Sequence, residues 1–180
     1  HRFSDEIMEA LTGIRGVFNT KITYAAQTGK GDKQIYTMDM DGHNPTALTK
    51  NKAINISPSW SPDGSQILFT SYMKGSPDLY TVTAGKNDYK KITSNSGANI
   101  TPHWSPDGKT IAFSSSITGI SNLYTMVIGS KKMKRITNVP FIDVAPSWSS
   151  DGSSLVFSSE RAGGLHVYRI PAGGGDAQRL

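Results

Sequence analysis

Ser57-Pro58-Ser59-Trp60-Ser61-Pro62-Asp63-Gly64 returns twice in this 180-residue chain, as Thr101-Pro102-His103-Trp104-Ser105-Pro106-Asp107-Gly108 and as Ala145-Pro146-Ser147-Trp148-Ser149-Ser150-Asp151-Gly152. The tryptophans stand at 60, 104 and 148, a step of 44 residues. Tyr36, Tyr80, Tyr124 and Tyr168 keep that step, as do Gly31, Gly75, Gly119 and Gly163, and the series Leu48, Ile92, Ile136 and Leu180. A repeat of about 40 to 45 residues carrying several short strands is the signature of a β-propeller blade.

Each part of the repeat has a local reading. In Ser61-Pro62-Asp63-Gly64 the proline presets φ, the aspartate bonds back to the backbone and the glycine tolerates positive φ, which makes a tight hairpin turn. It joins a strand ending at Trp60 to one running Ile67 to Ser71, repeated as Ile111 to Ser115 and Leu155 to Ser159. Successive residues of this second strand are apolar, which predicts burial on both faces, as in a sheet held between two others. Asp78 to Val82, with counterparts around Tyr36, Tyr124 and Tyr168, supplies a third strand, and Lys90 to Thr93 a fourth. The expected fold is therefore all-β, in blades of four antiparallel strands.

Residues 20 to 51 form an incomplete unit without the tryptophan strand, and its early part is one residue longer than the others. Units 52 to 95, 96 to 139 and 140 to 180 follow. Closed propellers have roughly 4 to 8 blades, so these units predict an open arc with two apolar end faces that favour self-association. Residues 1 to 18 stand outside the repeat: Ser4 is placed to cap a helix with Asp5 and Glu6 in its first turn, Phe3, Ile7 and Leu11 share one stripe, and Gly13 ends it. That stripe predicts a helix packed against another surface, leading through Gly16, Val17 and Phe18 into the first strand. The start at His1, and a last repeat stopping at Leu180 where earlier ones continue with threonine, predict a fragment.

Composition narrows the chemistry. There is no cysteine, so no disulfide, thiolate metal site or thiol nucleophile. The net charge is +5, but the basic runs Lys86, Lys90, Lys91 and Lys131, Lys132, Lys134, Arg135 lie in or just before fourth strands, the exposed blade edges where lysine discourages edge-to-edge pairing. Aromatic residues do not interleave with them, apart from Tyr89, and no nucleic-acid partner is expected. The recurring Asp63, Asp107 and Asp151 are explained by their turns. Asp39-Met40-Asp41-Gly42 lacks the spacing and closing glutamate of a calcium loop and reads as a turn. His103 stands where neighbouring repeats have Ser59 and Ser147, but no Gly-x-Ser-x-Gly elbow accompanies it. No catalytic residue, metal ligand or cofactor is expected.

The loops entering the innermost strands, Ala53 to Ser57, Gly97 to Thr101 and Phe141 to Ala145, recur in consecutive blades and would cluster around one mouth of the central channel. They combine apolar anchors (Ile54, Ile56, Ile100, Phe141, Ile142, Val144) with Asn55, Asn99 and Asp143 as polar contacts, a composition suited to docking a protein. Ser57 and His103 border the same surface.

The repeat Pro-x-Trp-Ser-Pro-Asp-Gly-x-x-Ile-x-Phe, followed by a glycine loop, Leu-Tyr and Ile-Thr, resembles that of the TolB family, periplasmic components of the Tol-Pal system. The repeat is shared with regulatory propellers of prolyl-oligopeptidase-type serine peptidases, which remain the alternative. His1 to Ile7, Leu11 to Phe18 and Thr20 to Ile22 resemble more specifically the TolB linker helix. The resemblance implies a non-catalytic six-bladed ring in the periplasm, preceded by a small α/β domain absent from this chain. It implies docking of the peptidoglycan-associated lipoprotein on one propeller face, and of inner-membrane Tol proteins through the absent domain, in support of outer-membrane integrity and cell division. The lipoprotein face maps onto Ala98, Asn99 and Thr101 in one blade and Val144 and Ala145 in the next.

Overall fold

A computed structural model describes residues 2 to 14, 16, 20 to 93 and 95 to 180; Val17 and Phe18, on the approach to the first strand, lie outside the described residues. Among the described residues one helix, α1 (Arg2–Thr12), precedes fifteen strands. They form four antiparallel sheets: β1 (Lys21–Gln27), β2 (Lys33–Asp39) and β3 (Thr46–Ala47); β4 (Asn55–Trp60), β5 (Gln66–Lys74), β6 (Ser76–Thr83) and β7 (Lys90–Lys91); β8 (Asn99–Trp104), β9 (Thr110–Ser115), β10 (Asn122–Val127) and β11 (Met133–Arg135); and β12 (Asp143–Trp148), β13 (Ser154–Ser159), β14 (His166–Pro171) and β15 (Gln178–Arg179). Each sheet is an up-and-down meander in chain order. These sheets are propeller blades. The first strands β4, β8 and β12 adjoin one another from blade to blade, which sets them innermost.

The turns behave as their chemistry dictates. Gly64, Gly108 and Gly152 have φ of 69°, 69° and 70°. Asp63, Asp107 and Asp151 each accept a bond from the serine two residues earlier at 2.6 Å and from the backbone N–H two residues later at 3.0 Å. Aromatic pairs fix the register of the middle strands: Tyr24 with Tyr36, Phe69 with Tyr80, Phe113 with Tyr124 and Phe157 with Tyr168, centroids 5.7 to 6.1 Å apart. Because Tyr24 still faces Tyr36 and Ala26 still faces Gln34, the extra residue of the first unit falls in the hairpin between Ala26 and Gln34.

Packing between blades repeats one formula. Leu68, Leu79 and Ile92 of the second blade meet Trp104, Ile111, Phe113, Tyr124 and Met126 of the third. Ala112, Leu123 and Ile136 of the third meet Leu155, Phe157, Tyr168 and Ile170 of the fourth, and Ile35 and Leu48 meet Ile67, Phe69, Tyr80 and Val82. Two faces are therefore buried in β5 and β9, whereas β13 alternates between buried and half-buried residues because no sheet follows it. The arc is open among the described residues. Its end faces carry Ile22 and Tyr24 at one side and Val167 and Leu180 at the other.

The helix departs from expectation in two ways. It begins at Arg2, so Ser4 lies inside its first turn and does not cap it. Its stripe is not packed: Phe3 is 73% exposed and Leu11 78%. Gly13 ends it with φ of 69° and a bond from its N–H to Glu9 O. No helix among the described residues is long and apolar enough to cross a membrane.

Candidate protein-binding face

The innermost strands share a distortion that composition does not announce. Ser57, Thr101 and Ala145 occupy left-handed backbone at φ of 53°, 49° and 55°. Pairing with the second strand slips at the same place, between Ile56 and Ser59, Ile100 and His103, and Val144 and Ser147. A β-bulge at the same position of three consecutive blades turns each strand at the entrance to the channel. Left-handed backbone is uncommon for residues other than glycine and costs free energy unless its surroundings hold it. The neighbouring blade contributes to that support. Thr70 Oγ1 accepts the Thr101 N–H at 3.2 Å, and Thr101 Oγ1 in turn accepts the Ala145 N–H at 3.2 Å while lying 3.1 Å from Ser114 Oγ.

The sequence-derived face divides into a buried layer and an exposed one. Asn55, Asn99 and Asp143 are 0% exposed, which corrects the expectation that they offer polar contacts. Asn55 Nδ2 reaches Lys33 O at 3.0 Å and Gln34 Oε1 at 3.1 Å in the preceding blade, and Asn99 Nδ2 reaches Asp78 Oδ1 at 3.2 Å and Asn95 Oδ1 at 2.9 Å. Asp143 is held by the Arg161 guanidinium at 2.9 and 3.0 Å. The two amides bond across the buried junction to the preceding blade, and the carboxylate is paired within its own blade, because an unpaired polar group in either place is costly. These three residues also open strands β4, β8 and β12, so the segments read as loops are strand from their middle onward.

Above this layer, Ile54, Phe141 and Ile142 are exposed, Ala145 is exposed, and Ser57, Ala98, Thr101 and Val144 are half-buried. Ala98 bonds twice to Ser116, its N–H donating to Ser116 Oγ at 3.0 Å and its carbonyl accepting the Ser116 N–H at 3.1 Å. Gly97 permits that approach, since a Cβ there would stand 2.4 Å from the Ile117 nitrogen. Thr70, Ser114 and Arg161 were missed at the sequence level. The hydroxyls at 70, 114 and 158 do recur at the repeat period, but only the folded neighbour shows what they cap.

His103 lies half-buried on β8. Its Nδ1 is buried without a hydrogen-bond partner, so that nitrogen is not paired with a serine. Burial pushes the imidazole below its ordinary value, because charging it would require desolvating a cation. Among the described residues no three histidine, aspartate or glutamate side chains are placed to hold a metal ion. Asp39 instead pairs with Lys21 at 2.6 Å and closes a hairpin turn through Gly42.

Comparison with known proteins settles the relationship of the chain. The TolB beta propeller domain model matches residues 8 to 180. The chain belongs to the TolB β-propeller domain family. A Tol-Pal system protein TolB from Desulfosudis oleivorans is 48% identical over 73 residues, 41% of this chain and 16% of that protein. The crystal structure of TolB from Acinetobacter baumannii superposes with a TM-score of 0.82 at 31% identity, covering 100% of this chain and 46% of its own. A TolB-like structure from Agrobacterium tumefaciens gives a TM-score of 0.81 at 26% identity, covering 88% of this chain and 60% of its own. The chain thus spans less than two thirds of the TolB proteins it matches. Puromycin-hydrolysing peptidases match at 14% and 15% identity, which shows the propeller fold alone.

Proposed function

We propose that this chain is part of a non-catalytic periplasmic scaffold of the Tol-Pal system, whose propeller docks the peptidoglycan-associated lipoprotein on the face formed by the entrances to β4, β8 and β12. The observation that carries the reading is the bulge shared by Ser57, Thr101 and Ala145, which sets three blades in the same shape around one mouth and leaves Ile54, Phe141 and Ile142 exposed beside it. Repeated backbone with varied exposed side chains suits recognition of a folded protein, with apolar anchors inside a polar rim. Tol-Pal membership of the curated relatives supports the choice of partner.

In this reading residues 19 to 180 are part of a six-bladed ring, and residues 1 to 18 are the linker from a domain that receives inner-membrane Tol proteins. The end faces are then covered by further blades, and self-association of the isolated arc is what their exposure would cause. The assembly supports outer-membrane integrity and cell division. Lysines on the outer strands serve solubility, and neither nucleic acid nor a cofactor is a partner.

Calorimetric titration of the complete protein with the soluble domain of the lipoprotein tests the proposal. Saturable one-to-one binding is expected, weakened at least about tenfold by Ile54→Glu with Phe141→Glu, a loss consistent with removing anchors from an interface. These exposed positions are preferable to Thr101, which also joins two blades. Absence of binding by the folded protein, or binding indifferent to both substitutions, would overturn the proposed face.

A further inference from the structure

The opposite ends of the same strands hold a second feature. Between the third and fourth blades a groove of about 920 Å³ opens beside Trp148 and Ala172. The equivalent groove between the second and third blades, beside Trp104 and Ile128, measures about 340 Å³. Ile128 and Ala172 hold the same place in their blades: Ile128 N–H bonds to Lys109 O at 3.0 Å, and Ala172 N–H to Ser153 O at 2.9 Å. Replacing a branched side chain by a methyl group removes volume from one wall. The indole follows suit. Trp104 is 6% exposed, whereas Trp148 is half-buried, with its Nε1 donating to His103 O at 3.3 Å.

Charge is graded along this groove. At its inner end stand Asp107 and Asp151, whose carboxyls are held below the usual range by the hydroxyl of the serine two residues earlier and by turn N–H groups. At its outer end stand Lys132 and Lys134, on and beside the fourth strand β11. Lys134 Nζ donates to Gly173 O across the groove at 2.8 Å. The lining thus runs from anionic through apolar to cationic. First and fourth strands of one sheet lie roughly 14 Å apart, from strand spacings of about 4.8 Å, which an extended segment of about five residues can span.

We propose that this groove binds a short extended peptide segment carrying an aromatic or aliphatic side chain between a cation and a carboxylate. The apolar side chain lies on Trp148 above Ala172, the cation faces Asp107 and Asp151, and the carboxylate faces Lys132 and Lys134. Electrostatic matching fixes the direction of the segment, while burial of its central side chain contributes most of the affinity. This site is independent of the lipoprotein face, which lies at the other ends of β8 and β12.

The probe is acetyl-Lys-Ala-Phe-Ala-Glu-amide, titrated into the full chain while the Trp148 indole N–H resonance is followed. Its assignment comes from Trp148→Phe. A saturable shift is expected. Ala172→Ile, the residue that the preceding blade carries there, should abolish it while leaving the thermal transition in place. Lys132→Gln with Lys134→Gln should weaken binding by roughly tenfold, as should the Gln-Ala-Phe-Ala-Gln peptide, through loss of charge matching. No saturable shift at millimolar peptide, undiminished binding to Ala172→Ile, or equal binding of the charged and neutral peptides would each overturn the proposal.

Discussion

Thr101 Oγ1 accepts the Ala145 N–H at 3.2 Å, so the side chain of one left-handed residue supports the backbone of its counterpart one blade further on. Thr101 is itself held by Thr70 in the preceding blade. Strain and its relief therefore pass along the innermost strands. Thr101→Val keeps the shape and removes the acceptor; it should destabilise by about 1 kcal/mol in chemical denaturation. Thr101→Ser retains the hydroxyl and should stay near wild type. Equal stability of both variants would mean that this bond contributes nothing.

Trp104 packs between the second and third blades among Leu68, Leu79 and Phe113. Trp104→Ala should cost about 3 to 5 kcal/mol. Trp148→Ala should cost distinctly less, because the groove beside Ala172 already leaves part of its ring uncovered. Reversal of this order by calorimetry would contradict the packing described for the two seams.

Asp143 and Arg161 are a matched replacement within the repeat. Where the fourth blade has Asp143 and Arg161, the third has Asn99 and Ile117 and the second Asn55 and Met73. The Arg161 guanidinium also lies over the Tyr168 ring at 4.9 Å from its centroid. Arg161→Met alone leaves a buried carboxylate unpaired and should cost about 3 to 5 kcal/mol. Adding Asp143→Asn should recover most of that loss, measured as a double-mutant cycle. Purely additive effects would rule out the coupling.

Two kinds of group make stability fall with acid, and both signs follow from linkage. His103 is pushed below the ordinary imidazole value of 6.5 by burial, so the unfolded chain takes up a proton first and stability declines as pH drops through that value. His103→Ser, the residue of the neighbouring blades, should flatten the slope there in a pH series of denaturation midpoints. Asp63 and Asp151 are lowered from 3.8 to about 2, led by the serine hydroxyl of each turn. Their contribution is present above 3.8 and disappears as pH falls toward 2. Asp151→Asn should remove part of that acid dependence, and an unchanged profile would show that the turn bonds do not favour the charged form.

Repeat length, blade composition and the Pro-Asp-Gly turns were legible in the letters because their causes are local. Proline and glycine restrict φ within two or three residues, and the alternation of apolar residues with a conserved-step tyrosine states which strand faces a neighbour. The recurrence of the segments before the tryptophan strands was likewise readable, and the structure gives all three the same bulged backbone. What Asn55, Asn99 and Asp143 do there was not, since a polar residue near a loop looks the same whether it meets solvent or a buried partner such as Lys33 O, Asp78 or Arg161. The same limit applied to α1, where an apolar stripe states that a partner is favourable but not that one is in reach.

By itself the amino-acid sequence determined the step of 44 residues, the four strands of each blade and the recurrence of one tyrosine in each third strand, all set by short-range sterics and hydrophobic periodicity. Only the tertiary structure decided that Ser57, Thr101 and Ala145 turn left-handed, that Asp143 is held by Arg161, and that Ala172 opens a groove where Ile128 narrows one. Each of these depends on an atom contributed from elsewhere in the fold, between 18 and 44 residues away for the Asp143 and Ala145 bonds. No local pattern contains that information, because the distances concerned exist only once strands have paired, as for Asp143 and Arg161, or neighbouring sheets have packed, as for Thr101 and Ala145.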